Sequence, residues 1–579
     1  MKRLFIAHKS SFALYLIAIL SIFGMLTVFS FESNVDRAAT IVNMARNVGD
    51  ACCLTCLFWL LSPRWRWLIG FPIAFISIFS LINLWYFRFW NDILPVSCLT
   101  MTENVNGLLI NSIKGLIQWS DLTFIVPILI FIIAAKRLST KSEPKFPSKI
   151  KLVGLMLSLV GFLLSQTALS EQNRRYHRND LGVKMTLAAN TLQRLTTQPH
   201  RSAAYLRDNG MIAYLCKIVA TPAKLRTISK SLSESEMEEV KLFINESKRK
   251  FNTEEFAENR FKNIIFIIVE SLNAEVIDRK VNNREVTPTL NALVNAEGTI
   301  ASTLMLSQVQ EGCSGDGQLI YNAGLLPLEG VATPLHVVHK IQLQPLASQL
   351  GRKAIAAVFA GEANSWKEHQ NFEKYGFPII SSAVESVNEV NDIGSDAAMF
   401  LRGRRFITEA EEPFVIQFIT ESMHIPFQDK GVDGFTWIYD DTSLEPTVAN
   451  YLRMCAYFDF QLGRFIEFLK ENGIYDNSIL IIASDHSQNI ATSSVNRRPD
   501  SEISIVFIAT NTGKTKRIEK PTMQIDVFPT MLHIAGADTP EFVGTGTSML
   551  DSINNTDIKT AQGISELILR GNYFGIIRD

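Results

Sequence analysis

The apolar positions of this chain fall into two regimes. Before Glu171 they form long runs with few charges; after it they come in short blocks separated by polar turns. Ser11–Phe31 is a charge-free run of 21 residues, enough for a helix to cross a hydrocarbon core of about 30 Å. Lys2, Arg3 and Lys9 precede it. The run exceeds a signal peptide's apolar core and further runs follow, so it reads as an uncleaved span. Leu68–Phe87 is a second clear span, edged by Trp65 and Trp67 at one end and by Trp85, Tyr86 and Trp90 at the other, as an aromatic belt requires. Ala51–Ser62 and Leu122–Ala135 are shorter, and Leu152–Ser170 completes a predicted set of five.

Basic residues in the short loops give the expected orientation. The amino terminus, the loop with Arg64 and Arg66, and the loop Lys136–Lys151, with six Lys/Arg against Glu143, fall on one side. That side is predicted to be cytoplasmic. Five spans then place everything after Glu171 outside, as expected of a multi-pass protein of the cell (inner) membrane. Between Glu171 and Glu258 the pattern is polar and helical. Ser231–Lys250 opens with capping and acidic residues and closes on Lys248, Arg249 and Lys250, matching the helix dipole. The expected domains are a five-helix transmembrane domain at 1–171, a helical linker at 172–258 and an extracytoplasmic catalytic domain at 259–579.

In the third part the spacing changes to that of an α/β domain. Asn263–Leu272, NIIFIIVESL, puts six apolar residues before Glu270 and Ser271, the pattern of a strand buried on both faces of a parallel sheet. Further apolar runs at Ala354–Phe359, Phe414–Ile419, Ile479–Ala483 and Ile503–Ala509 alternate with helical patterns, which predicts a doubly wound α/β fold. One such helix starts at Pro288 behind Thr287 as its cap; another covers Tyr451–Lys470.

Composition narrows the function classes. Lys+Arg 56 against Asp+Glu 57 leaves no basic bias toward nucleic acid. The seven cysteines are odd in number and scattered, which is no disulfide framework. Cys52, Cys53 and Cys56 lie in the second predicted span without a fourth ligand nearby and read as packing residues. Cys98 falls just outside the membrane, and Cys216, Cys313 and Cys455 in the outer part.

Three places carry candidate chemistry. Glu270 ends the first strand, and ligands of open α/β sheets gather outside the carboxyl ends of strands. It is a candidate metal ligand or acid/base, or else a strand-end carboxylate turned to water. Asp485 and His486 follow the Ile479–Ala483 run and supply mixed O/N donors suited to Zn²⁺ or Mn²⁺. Glu311–Gln318, EGCSGDGQ, sets Ser314 between glycines ahead of a helical pattern. There a hydroxyl meets the free N–H groups of a helix start and could act as a nucleophile in phosphoryl transfer; a solvent-exposed Gly-rich turn would show the same letters.

The order NIIFIIVES, VTPTLNALV, the Gly-flanked Ser loop, MHIPF, YFDFQLGRFIEFLKENGIYDNSILIIASDH and QIDVFPTMLHIAG resembles the sulfatase-type branch of the alkaline phosphatase superfamily. Together with the spans and Leu84–Pro95, LWYFRFWNDILP, it resembles the lipoteichoic acid synthase-like membrane phosphotransferases. The resemblance implies one divalent ion, Mn²⁺, Mg²⁺ or Zn²⁺, held by Glu270, Ser314, Asp485 and His486, with Ser314 as nucleophile. It implies substrate-binding roles for His424 and Trp366. It also implies a phospholipid donor, an envelope glycan or lipid acceptor, and transfer of the headgroup through a Ser314-linked intermediate. Two departures stand out. Relatives that handle phosphoglycerol carry Arg two residues after the tryptophan, where this chain has Glu368 after Trp366 and Lys367. A carboxylate cannot clamp phosphate as a guanidinium does; Glu368 would suit an ethanolamine headgroup, or is a solvated surface residue. Arg497 and Arg498 are alternative cations. Cys313 is followed by Gly315 and Gly317, so the formylglycine signal of sulfatases is missing. The expected activity is transfer of phosphoglycerol or phosphoethanolamine. A phosphoester or sulfuric ester hydrolase is the alternative enzyme, and an envelope protein with a decayed site the alternative outside catalysis.

Overall fold

In a computed structural model, the structure describes residues 6–32, 40–90, 93–94, 117–138, 143–176, 206, 211–212, 214–215, 229–329, 331–363, 365–383, 395–424, 427, 435, 444, 446–488, 503–551 and 556–577. The chain divides into two compact units, Met1–Ala223 and Lys224–Asp579.

The first unit is helical: α1 (Lys9–Glu32), α2 (Thr40–Cys56), α3 (Gly70–Trp90), α4 (Leu122–Arg137) and α5 (Ser148–Tyr176). Lys9–Ser30, Pro63–Arg88 and Trp119–Arg137 are long and apolar enough to cross a membrane. α2 carries a more polar face with Arg46, Asn47 and Asp50. α2 and α5 approach closely where small residues meet. A methyl on Gly161 would lie 2.7 Å from the Gly49 carbonyl oxygen and 3.0 Å from Cys52 Cβ, so the cysteines pack against a neighbouring helix, as small residues do between membrane helices. Polar contacts gather at the two ends of the bundle. At one end the buried Arg66 guanidinium pairs with Glu143 at 3.1 Å and lies 3.8 Å from the Phe146 ring centre, while Ser10 donates its N–H to Glu143 at 2.9 Å. This joins the amino terminus, the Arg64/Arg66 loop and the loop after α4. At the other end Arg88 and the Trp85 indole both engage Asp121, at 2.8 and 2.9 Å.

The second unit is an α/β domain around a nine-stranded mixed sheet. Its strands are β1 (Asn263–Val269), β2 (Ile300–Leu306), β3 (Lys353–Phe359), β4 (Ile380–Ser382), β5 (Phe414–Ile419), β6 (Ser478–Ser484), β7 (Ser504–Ala509), β8 (Lys516–Ile518) and β9 (Thr522–Met523). The spatial order is β8-β2-β7-β6-β1-β5-β3-β4, with β9 on β2. β6, β1, β5, β3 and β4 run parallel, so their carboxyl ends share one edge. β7 runs antiparallel to both β6 and β2, a reversal that an apolar run such as SIVFIA does not encode.

All seven β1 residues are buried and alternate between two cores. Ile264, Phe266 and Ile268 face one, with Leu319, Phe528 and Ile568; Ile265, Ile267 and Val269 face the other, with Leu452, Phe465 and Leu469. Helices therefore cover both faces, which is why β1 reads as continuous rather than alternating apolar sequence. Pro446–Glu471 lies on the second core. Its Asp459 also caps Pro288–Asn295, accepting from Thr289 N at 2.9 Å and Leu290 N at 2.7 Å. The predicted cap, Thr287, instead donates its hydroxyl to the Val276 carbonyl at 2.9 Å. Asp459→Ala is expected to lower stability by about 1–2 kcal/mol, measured as a shift in the denaturant midpoint, with a Thr287→Ala variant as comparison. Glu234–Lys250 forms the predicted helix with a Ser233/Glu236 capping box, and its Val240 joins the first core.

Candidate active site

Strand register places the first two candidate residues side by side. Val269 on β1 pairs with Ser484 on β6, so the next residues, Glu270 and Asp485, leave the same sheet edge together. The turn after β1 is held on both sides. Ser271 N donates to Asp485 Oδ1 at 2.8 Å, Ser271 Oγ to Glu270 Oε1 at 2.8 Å, and Glu270 N to Thr420 Oγ1 at the end of β5 at 2.9 Å. His486 N donates to Asp485 Oδ1 at 2.6 Å, and its Nε2 lies 3.6 Å from both Glu270 Oε1 and Asp485 Oδ2.

Ser314 arrives from a different element. The helix Cys313–Ala323 starts behind Gly312, so Ser314 occupies its first turn, where N–H groups lack helical partners. Its Oγ donates to Glu270 Oε2 at 3.0 Å and lies 3.1 Å from His486 Nε2. Two contacts bring this helix onto the sheet edge. A methyl on Gly317 would sit 2.6 Å from the Asp485 carbonyl oxygen, so only glycine permits this approach. Tyr321 donates its hydroxyl to the Ser484 carbonyl. Gly317→Ala is therefore expected to destabilise the domain by about 1–3 kcal/mol through overpacking and to lower metal content, read by thermal melting and elemental analysis. Upstream, Asp316 Oδ2 accepts from Gln310 N at 2.8 Å and Gly312 N at 2.9 Å, tying down the loop that presents Ser314. Burial lifts the Asp316 carboxyl to about 7.

Four of the eleven described non-glycine residues with positive φ lie here. Ser271, Cys313, Trp366 and Lys367 hold φ values of 55, 43, 52 and 60°, a left-handed region that costs non-glycine residues about 1–3 kcal/mol each. Each of these residues adjoins a candidate site residue or is one.

Electrostatics bear on whether a cation fits. Glu270, Asp485 and His486 offer ligand atoms within 4.8 Å of one another, all buried. Burial works to raise the Glu270 carboxyl, but His486, His424 and the hydrogen bonds from Asp485 and Ser271 outweigh it and hold it below the usual range. Burial and the Glu270 charge push Asp485 well above its usual range. Two carboxylates in one dry site cannot both ionise unless something positive joins them. Two oxygens and one imidazole nitrogen suit a Zn²⁺- or Mn²⁺-type ion, so the residues present fit the implied metal.

The remaining candidates lie around this centre. His424 follows β5 and acts electrostatically on Glu270. Trp366 lies against the nucleophile turn: a methyl on Gly315 would be 3.1 Å from Trp366 Cβ. Glu368 is 6 % exposed and accepts from Gln318 Nε2 at 2.8 Å. It is a buried residue, and the surface alternative drawn from its sequence setting does not hold. Burial, then Glu421 and Glu270, raise its carboxyl to about 8. Arg497 and Arg498 lie outside the described residues, as do Cys98 and Cys216. Sequence reasoning missed the supporting groups Ser271, Thr420, Asp316, Gln318, Glu421 and Gln524, whose Nε2 donates to the Asp485 carbonyl at 2.6 Å. Ser271 alone carried a signal, being the residue that follows Glu270.

With this geometry in place, comparison with known proteins is informative. The Sulfatase family model matches residues 262–537, and the lipoteichoic acid synthase N-terminal domain model matches residues 1–181. The chain thus carries a Sulfatase domain and, ahead of it, a lipoteichoic acid synthase N-terminal domain. Lipoteichoic acid synthase 1 of Bacillus subtilis (strain 168) is 26% identical over 594 residues, covering 97% of this chain and 88% of that protein. Lipoteichoic acid synthase 2 of the same strain is 24% identical over 499 residues, covering 81% and 72%. Among solved structures, the integral membrane lipooligosaccharide phosphoethanolamine transferase A of Neisseria meningitidis aligns with a TM-score of 0.52 at 13% identity, over 91% of this chain and 96% of that one. That likeness concerns the fold. Members of the sulfatase superfamily depend on metal, and the relatives and apolar helices support a membrane protein.

Proposed function

We propose that this chain is a membrane-bound, metal-dependent transferase that moves a phospho-headgroup, phosphoglycerol or phosphoethanolamine, from a phospholipid to a hydroxyl of an envelope glycan or lipid. The observation that carries this reading is Ser314 Oγ at 3.0 Å from Glu270 and 3.1 Å from His486 at a helix start. A divalent ion held by Glu270, Asp485 and His486 beside Ser314 would lower the hydroxyl's pKa and offset charge on the phosphoryl oxygens. The chain's own groups do the rest. Glu270 and His486 hold the Ser314 hydroxyl and its proton at the mouth of the site. The Ser314 O–P bond forms as the P–O bond to diacylglycerol breaks, and the diacylglycerol oxygen takes up a proton. His424, which follows β5, serves in substrate binding. An acceptor hydroxyl then attacks the same phosphorus, its proton leaves, and Ser314 is released. Backbone N–H groups of the first helical turn face the transferring anion. Product analysis with a phospholipid donor, with and without an acceptor, tests the reading. Transfer product that requires the acceptor supports it; free headgroup phosphate released equally in both would mean a hydrolase.

The membrane part of the proposal uses five spans within 1–171, a connecting segment at 172–258 and catalysis at 259–579. α2, continued by Leu57–Leu60, and α5 add to the three helices that meet span length and composition. Topology is supported by the Arg66–Glu143–Ser10 contacts, which gather the basic loops at one end of the bundle, the end expected on the cytoplasmic side. Protease added to intact spheroplasts should digest residues after Glu171. Protection of that part until lysis would contradict the orientation.

A further inference from the structure

Glu368 is placed as a headgroup reader rather than as scaffold. Its partner Gln318 stands four residues after Ser314 on the same helix, hence on the same face and about 6 Å further along the axis. One carboxylate oxygen, Oε1, accepts from Gln318 at 2.8 Å. The other, Oε2, has no partner among the described residues, and it is not one of the fully sealed orphan atoms. A side chain 94% buried thus keeps one oxygen open beside the nucleophile turn. Trp366, two residues earlier, lies against Gly315. Glu421 leans over Gly361 just past the ends of β5 and β3. The charges that bear most on Glu368 are acidic, Glu421 and Glu270. Burial and these like charges disfavour the ionised Glu368 carboxylate until a cation sits beside it.

We infer that this pocket takes a headgroup bearing an ammonium group, with Glu368 as the residue that selects it. The inference rests on the transferase reading above. In an ethanolamine phosphate ester four bonds separate phosphorus from nitrogen, so a phosphorus at Ser314 Oγ and an ammonium at Glu368 belong to one headgroup. The transferred unit is then phosphoethanolamine: the Ser314 O–P bond replaces the P–O bond to diacylglycerol, diacylglycerol leaves with a proton, and the amine stays ionised throughout. An ammonium beside Oε2 favours the ionised carboxylate against the burial and like charges that raise it, a countercharge that an uncharged glycerol tip does not supply.

The test uses the full-length protein with Mn²⁺ in phosphatidylcholine vesicles carrying either phosphatidylethanolamine or phosphatidylglycerol. Diacylglycerol release and the mass added to Ser314 are read together. Phosphatidylethanolamine should be favoured at least about tenfold, and Glu368→Gln should reduce that ratio by about tenfold or more. On the unmodified protein, soluble phosphoethanolamine should inhibit at about tenfold lower concentration than glycerol phosphate. Preference for phosphatidylglycerol, with phosphoglycerol on Ser314, overturns the inference and leaves the transferase reading standing. Diacylglycerol from neither donor sinks both. A Glu368→Gln ratio equal to the parent's overturns the assignment to Glu368, and the inhibitor comparison decides the headgroup if that variant does not fold.

Discussion

Ser314→Ala should reduce diacylglycerol release by at least about 10³-fold while shifting stability by no more than about 0.5 kcal/mol, as at other partly exposed sites. The asymmetry follows from what the hydroxyl touches. Its Oγ is shared between Glu270 Oε2 and His486 Nε2, yet Glu270 keeps the Ser271 hydroxyl and His486 keeps the Asp485 carboxylate when it is gone. The fold therefore loses little. The obvious rival nucleophile, Ser271, also bonds Glu270, but it is fully buried and closed to a lipid phosphorus. Cys313 is the next neighbour, held at φ 43°. Ser314→Thr keeps the hydroxyl and should retain far more activity than the alanine variant. Donor turnover and thermal melting on the purified full-length protein check all of these.

The second large effect concerns the metal. Glu270→Ala or Asp485→Asn should remove the bound ion and activity together, each by a factor of about 10²-fold or more, since each takes away one of the three His or carboxylate donors grouped there among the described residues. His424→Ala should cost activity with the metal retained, because His424 is not part of the Glu270, Asp485 and His486 donor group. Elemental analysis alongside turnover separates the two classes. An ion lost from His424→Ala and kept in Glu270→Ala would require a site built around His424. Chelation should also lower stability in the parent. Asp485 is held well above its usual range by burial and by Glu270, and a divalent ion offsets that like charge.

The catalytic half was legible in sequence wherever one residue's surroundings are dictated by its own strand. NIIFIIV must be buried on both faces, so its terminal carboxylate has to emerge at the sheet edge, and the same logic delivers Asp485 and His486. Pattern could not supply the register that makes Val269 and Ser484 partners, and so could not show that Glu270 and Asp485 leave the sheet edge side by side. Strand direction was equally hidden: SIVFIA reads alike either way, and β7 turns out antiparallel. β2, IASTLML, escaped notice because Ser302 and Thr303 break the apolar run, although Ser302 is buried and engages Thr522. Glu368 opens a polar helix, EHQNFEK, whose letters suggest solvent. Only the tertiary approach of Gln318 shows it to be buried. In the membrane half, α2 was legible as a weak span for a physical reason, since Arg46 and Asp50 interrupt its apolar face.

The account's central claim is that Ser314 carries the headgroup, and trapping that adduct tests it most directly. The full-length protein, loaded with a divalent ion and mixed with vesicles of phospholipid donor in the absence of acceptor, is quenched in acid, digested and analysed by mass spectrometry. The account predicts one phospho-headgroup mass increment on the peptide containing Glu311–Gln318, localised by fragmentation to Ser314 and missing from Ser314→Ala. An increment on Cys313 or Ser271 would contradict it, as would steady turnover of the donor with that peptide unmodified throughout.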